Sequence, residues 1–213
     1  MINRLHSDIF WGNYSPLSAL TGAGLMIMAS SRLAFAIFCT GALLWTYCLT
    51  ALAYYSGKKI MPKKGKFIIL LFLSSFICSV YLLIISFLNP LLVSITWFFV
   101  VLVPPCCIGS GLFENLGTQD MGEIITRVSQ EAASLGLVII AISLIREPIG
   151  FGSLSFPGGV WGIVEIFSSK EGGEGFFPIR LLSASAGGLL ILGFGVAVYR
   201  YFRSQHSVPG DDL

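Results

Sequence analysis

The chain has 213 residues, 55% of them hydrophobic, with 13 Lys or Arg against 11 Asp or Glu. Only 11% of its side chains are charged, against roughly 25% in a soluble globular domain, and the mean hydropathy is +0.84. One small core could not bury that much apolar surface, which excludes an ordinary cytosolic enzyme, a nucleic-acid binder and a disordered chain.

The uncharged runs set the expected elements. There are 23 uncharged residues between Asp8 and Arg32, 25 between Arg32 and Lys58, 47 from Phe67 to Phe113, 14 from Ala132 to Ile145 and 19 from Leu181 to Tyr199. A helix crossing a bilayer takes about 20 apolar residues, so the longest run is two spans, divided at the turn signal Asn89-Pro90. Six membrane helices are predicted, at 12–29, 33–55, 67–88, 91–112, 128–147 and 181–201, in one membrane domain covering 1–213 with a polar tail from 204. A removable signal peptide does not fit, because the first segment has no small-residue cleavage pattern and runs straight into the second. Lys58, Lys59, Lys63, Lys64 and Lys66 crowd the loop after the second segment, and Arg4, Arg200 and Arg203 lie near the termini. By the positive-inside rule that loop and both termini are cytoplasmic, with the loop 148–180 outside.

Segments one and four are expected to be broken. The first carries Pro16 and Gly22-Ala23-Gly24-Leu25; the fourth carries Pro104-Pro105 and Gly109-Ser110-Gly111-Leu112. Proline removes a backbone donor and clashes with the preceding turn. The two glycine strings resemble each other and open two three-segment halves, about 8–88 and 90–203. An odd number of spans per half makes the halves inverted in the membrane. Breaks at matching positions of inverted halves point to a midplane site, although Gly and Pro are also common in membrane helices generally.

Several strings then carry a family resemblance. Arg146-Glu147-Pro148-Ile149-Gly150-Phe151-Gly152-Ser153-Leu154, Ile9-Phe10 followed by Asn13, Ser30-Ser31-Arg32-Leu33, and Cys107-Ile108-Gly109-Ser110-Gly111 followed by Glu114 resemble the D/E-type membrane subunits of the Rnf and sodium-translocating NADH:quinone oxidoreductase (Na+-NQR) complexes. The resemblance spans nearly the whole chain. It implies an inverted-repeat subunit of a bacterial plasma membrane, paired with a homologous sister subunit and with other redox subunits. It also implies a [2Fe-2S] cluster shared with the sister, with Cys107 as a ligand, Cys106 as the nearest further thiol, and Gly22, Gly24, Gly109 and Gly111 lining the breaks around the cofactor. Iron–sulfur clusters require thiolates, and broken helices can aim free N–H groups at a negative cluster.

The chain departs from that pattern in its first half, where the family's cysteine falls at Gly24 or, with the gap shifted, at Ala23. Neighbouring side chains on a helix point about 100° apart, so Cys106 and Cys107 could reach one cluster together only on a non-helical backbone. Pro104-Pro105 and Gly109 make that possible.

The remaining candidates have plainer readings. The five Cys lack the even, loop-borne spacing of a disulfide framework and read as reduced, with Cys39, Cys48 and Cys78 as packing residues. His6 and His206 belong to polar tails. Arg146 and Glu147, at the end of segment five, read as solvated or snorkelling unless the resemblance raises them to contacts with a sister or with a break. Glu131 reads either as a local partner of Arg127 or, if it faces the bundle, as part of an ion or proton path. No glycine-rich nucleotide loop and no nucleophile–base pair occurs. The expected function is therefore a non-catalytic scaffold subunit of an ion-translocating electron transport complex. The rivals are a non-redox scaffold or ion or small-molecule carrier of the same fold, and a pure assembly subunit.

Overall fold

The computed structural model describes residues 16–57, 65–109, 121–158, 163–168 and 184–206. Lys58, Lys59, Lys63, Lys64, Gly111, Glu114, the N-terminal string 9–13, most of the loop after residue 168 and the end of the tail lie outside the described residues. In chain order the elements are α1 (Pro16–Ala29), α2 (Leu33–Gly57), α3 (Lys66–Leu88), α4 (Pro90–Val100), α5 (Val103–Gly109), α6 (Met121–Phe151), β1 (Ser153–Pro157), β2 (Ile163–Ser168) and α7 (Ser185–His206).

Every predicted segment is helical over most of its length. Three helices, α2, α3 and α6, are long and apolar enough to cross a membrane. The others are shorter or less uniformly apolar. At about 1.5 Å per residue, the 14 described residues of α1 extend about 21 Å, against the ~30 Å hydrocarbon thickness of a bilayer. Helix α3 is apolar on every side. Leu70, Ser74, Ile77 and Cys78 face the protein, while Ile68, Phe72, Phe76, Leu83 and Phe87 form an outward stripe in which Phe87 is 84% and Phe72 75% exposed. A helix apolar all round needs a nonaqueous surrounding on its free side.

The break in segment four falls at 101–102. Pro104 and Pro105 occupy the first turn of α5, where a helix tolerates proline because those N–H groups have no intrahelical partner anyway. Asn89 divides α3 from α4 as expected, its side-chain carbonyl accepting from the Leu92 N–H at 3.2 Å, with Pro90 opening α4. Among the described residues of segment one the expected break is not present: α1 runs without interruption from Pro16 through Gly22 and Gly24 to Ala29. Pro16 is its first described residue, and helical glycine costs only about 1 kcal/mol. Helix α6 passes through Pro148 to Phe151, one turn beyond the predicted end. Gly152, with φ of 67°, then turns the chain out of the helix, its N–H donating to Pro148 O at 2.9 Å, a left-handed cap that suits glycine.

An all-helical chain is not what forms. Strands β1 and β2 pair as an antiparallel hairpin with an irregularity between Leu154 and Ser155. It escaped sequence reading because its polarity is reversed. Ser153 and Ser155 are buried while Phe156, Val164 and Ile166 are exposed, the opposite of the apolar-in alternation that marks a half-buried strand.

The broadest helix contact is α2 against α6; α1 packs on α5, α3 on α2, α4 and α5, and α7 on α1 and α6. Thr40 and Gly136 mark a point where α2 and α6 approach closely. The Thr40 hydroxyl donates to Ala36 O at 2.8 Å and also reaches Gly136 O at 3.3 Å. A Cβ at Gly136 would collide with the Thr40 side chain. Gly136→Ala should therefore destabilise the purified protein by about 1–3 kcal/mol through overpacking, read as a lowered midpoint of thermal unfolding in detergent. Gly195→Ala, where an added Cβ meets nothing within 4 Å, should leave that midpoint unchanged or slightly raised.

Candidate functional site

Two groups of residues stand out, one at each end of the α2–α6 contact. The first is built on Arg146 and Glu147. Both are buried, Arg146 at 2% exposure, and neither is solvated or snorkelling as sequence reading had it. The reason is the chain reversal between α1 and α2, which leaves unpaired backbone groups at a protein-facing corner. One Arg146 nitrogen donates to Ile27 O at 2.8 Å and to the Ser30 hydroxyl at 3.2 Å; the other donates to Ala184 O at 2.9 Å. Gly188 gives the guanidinium room, since a Cβ there would lie 3.1 Å from Arg146 Nη1.

Glu147 serves the other side of the corner. Its Oε2 accepts from the Leu33 N–H at 2.7 Å, the first residue of α2, and the Ser155 hydroxyl accepts from the next N–H, Ala34, at 3.5 Å. A cation thus meets the carbonyl end of α1 and an anion meets the amide end of α2, each the favourable sign for its helix terminus. Above them Arg32 pairs with Glu165 of β2 at 3.4 Å and lies over the Phe151 ring. The strings 30–33 and 146–154, far apart in sequence, are therefore in direct contact.

The second group surrounds α5. Cys106 and Cys107 are both buried. Tyr47 donates to Cys106 Sγ at 3.8 Å, and a Cβ at Gly22 would lie 3.7 Å from the same sulfur, whereas one at Gly24 would meet nothing within 4 Å. Of the two α1 glycines it is thus Gly22 that faces the cysteine. Gly109 closes α5. Because α5 is helical through both cysteines, the two side chains diverge by about 100°. Glu131 is buried on α6 while Arg127 is exposed, and it lies near enough to Tyr47, Cys106 and Cys107 to act on them electrostatically. Its side chain is therefore turned toward the protein. Cys39 and Cys78 are buried packing residues and Cys48 is half-buried.

Among the described residues, no three His, Cys, Asp or Glu side chains come together as a group that could hold a metal ion. The described residues of this chain, taken alone, do not make a complete ligand set for an iron–sulfur cluster. Gly22 offers no ligand, and Cys106 and Cys107 point apart. Sequence reading missed Tyr47 and Ser155, whose roles depend on contacts between distant segments and leave no local pattern.

No protein-family model matches the chain, and no curated protein matches it. The resemblance therefore rests on the strings quoted above.

Two outcomes follow from this geometry. Glu147→Ala leaves the buried Leu33 N–H without its acceptor, so it should destabilise the protein by about 1–3 kcal/mol. Glu147→Gln, which keeps an acceptor oxygen, should cost less than half of that, measured by thermal unfolding in detergent. In a variant without the other cysteines, Gly22→Cys should form a disulfide with Cys106 under mild oxidation, seen as a mobility shift abolished by reductant. Gly24→Cys in the same background should not.

Proposed function

We propose that the chain is a multi-pass plasma-membrane subunit of an ion-translocating electron transport complex of the Rnf or Na+-NQR kind. Its role there is that of a scaffold pairing with a homologous sister subunit. The observation that carries this reading is the contact between strings 30–33 and 146–154, the two parts of the resemblance with least reason to coincide by chance in space.

The helix pairings support the inverted repeat. A two-fold axis in the membrane plane that exchanges segments one, two and three with four, five and six matches the pair one–six with three–four and the pair one–five with two–four. These pairings occur: α1 on α7 with α3 on α4 and α5, and α1 on α6 with α2 on α4 and α5. The outward apolar stripe of α3 supports placement in lipid. The Lys-rich stretch before α3 supports cytoplasmic termini.

A [2Fe-2S] cluster at this position would need the sister subunit to supply most of its ligands, with Cys106 or Cys107 adding one. No electron-transfer step is assigned to this chain. The second reading, a non-redox carrier of the same fold, is favoured by one observation, the buried Glu131 facing α5, since intramembrane carboxylates commonly mark ion or proton paths.

Purification of the tagged chain from its native membrane in mild detergent tests the proposal. The expected result is co-purification of a homologous membrane protein together with flavin- and iron-containing subunits. The double variant Cys106→Ser, Cys107→Ser should still assemble. A chain that purifies alone, without redox-active partners, would overturn the reading and leave the carrier. Loss of iron from the complex of the double variant would instead assign a ligand to this chain.

A further inference from the structure

The hairpin that follows α6 is built inside out. Successive side chains of a strand point to opposite faces. On β1, Ser153 and Ser155 are buried and Phe156 is exposed. On β2, Glu165 reaches back to Arg32 at 3.4 Å, while Val164 and Ile166 on either side of it are 45% and 54% exposed. Ser155 is the cross-strand partner of Glu165, and Phe156 that of Val164. One face therefore turns its hydroxyls and its carboxylate to the protein. The other carries Phe156, Val164 and Ile166 outward as one apolar patch.

Contacts with the bundle fix which face is turned out. Strand β1 packs on α2 and α6, and the Ser155 hydroxyl accepts from the Ala34 N–H. A slip of one residue would reverse every side chain and break that contact. A sheet with one face in water ordinarily shows the opposite polarity, apolar in and polar out. The helix leading into the hairpin has an exposed apolar side as well. Leu137, Leu144 and Phe151 follow one another at intervals of seven residues, on one stripe of α6, and all three are exposed. This helix is long and apolar enough to cross a membrane. Its stripe ends at the hairpin, because Arg32 both lies over the Phe151 ring and pairs with Glu165.

We propose that the outward face of the hairpin is an interfacial membrane anchor, seated in the bilayer at the boundary of headgroups and acyl chains where α6 leaves it. Two constraints set that depth. The patch of Phe156, Val164 and Ile166 favours acyl chains over water. The sheet has only two strands, so each strand keeps an open edge, and unpaired backbone groups are not tolerated in the hydrocarbon interior. At the boundary the edges stay hydrated while the three side chains enter the lipid, the way amphipathic elements lie in an interface. Arg32, with its side chain 32% exposed, suits the same level, where a cationic head can meet headgroups. A protein partner is the poorer occupant. Three half-exposed side chains fall well short of the roughly 800 Å² that each side of a stable interface buries. The anchor rests on the membrane placement proposed above and does not depend on the electron transport complex.

Spin labels on Phe156→Cys and, separately, on Ile166→Cys test this in the full chain in phosphatidylcholine nanodiscs, with the signal of the unsubstituted protein subtracted. Access of oxygen, which concentrates among acyl chains, is compared with access of a water-soluble nickel chelate. Labels at Phe72→Cys, on the exposed side of α3, and at Glu123→Cys, near the start of α6, mark lipid and water. The labels at 156 and 166 should fall between the two marks and favour oxygen, at a depth of about 5–10 Å. Val164→Ser with Ile166→Ser should move the label at 156 several-fold toward the chelate. Chelate access at 156 and 166 equal to that at 123 overturns the anchor. So does shielding from both reagents, the sign of a protein cover, and so does a label at 156 that the serine pair leaves in place. A label at 72 that meets the chelate overturns the membrane placement itself, and the anchor with it; lipid at 72 with water at 156 and 166 overturns the anchor alone.

Discussion

The fold turns on a corner held by two adjacent side chains of opposite charge. Helices α1 and α2 meet at Ser30–Arg32, and a corner between helices exposes carbonyls on one side and amides on the other. In water those groups would be hydrated. Inside an apolar bundle each would cost several kcal/mol. Arg146 and Glu147 meet both needs from a third helix, the guanidinium on Ile27 O and the carboxylate on the Leu33 N–H. Adjacent residues on α6 point in different directions, which is what allows one to serve the end of α1 and the other the start of α2. Arg146 also ties the start of α7 through Ala184 O, so one residue fixes the relative positions of three helices. The hairpin and the Arg32–Glu165 pair close over this corner, and they could not sit there if α6 were rotated by one residue.

The opposite end of the bundle is organised by backbone chemistry rather than by charge. Tandem proline stops α4 and restarts the helix as α5, turning a would-be span into two short pieces. The short α5 carries its cysteines into the core, where Gly22 and Tyr47 receive Cys106. Small residues at these contacts let helix backbones come close. The same device recurs between α2 and α6 at Gly136, and beside Arg146 at Gly188. Close approach leaves little space for error, so the places where helices touch are also the places where one added methyl group is felt.

Much of this was legible in the sequence, for reasons that differ by element. The helices were visible because a bilayer-length apolar run admits little else, and the Asn89-Pro90 turn because its chemistry is local. The break in segment four was visible because proline acts through covalent structure. From Pro16 onward segment one is not broken, since Gly22 and Gly24 permit a turn without requiring one. The hairpin was hidden by strands that bury serine and expose phenylalanine. Arg146 and Glu147 were underrated because a charged pair at a helix end is normally solvated, and nothing in their neighbourhood encodes that the α1–α2 corner docks against them. Likewise Gly22, not Gly24, faces the cysteine: that depends on the rotation of α1, which an unpatterned apolar helix does not reveal.

The length of α6 draws the two ends into one constraint. Glu131 and Glu147 are sixteen residues apart, about 24 Å along the helix at ~1.5 Å per residue. That is shorter than the ~30 Å apolar thickness of a bilayer, so in a membrane the two carboxylates could not both reach the headgroup regions if α6 lay along the normal. At least one must then face protein, and both do: both are buried, while Leu137, Leu144 and Ile145 between them are exposed. A single apolar span between charged ends would be free to rotate about its axis. Here rotation would carry a carboxylate into lipid at a cost of about 2.5–3.5 kcal/mol on insertion scales, besides breaking the cap on α2. The acidic residues therefore set the rotation of α6. That rotation presents Gly136 to Thr40 and Arg146 to α1, so the polar groups of this helix determine how its apolar surface is packed.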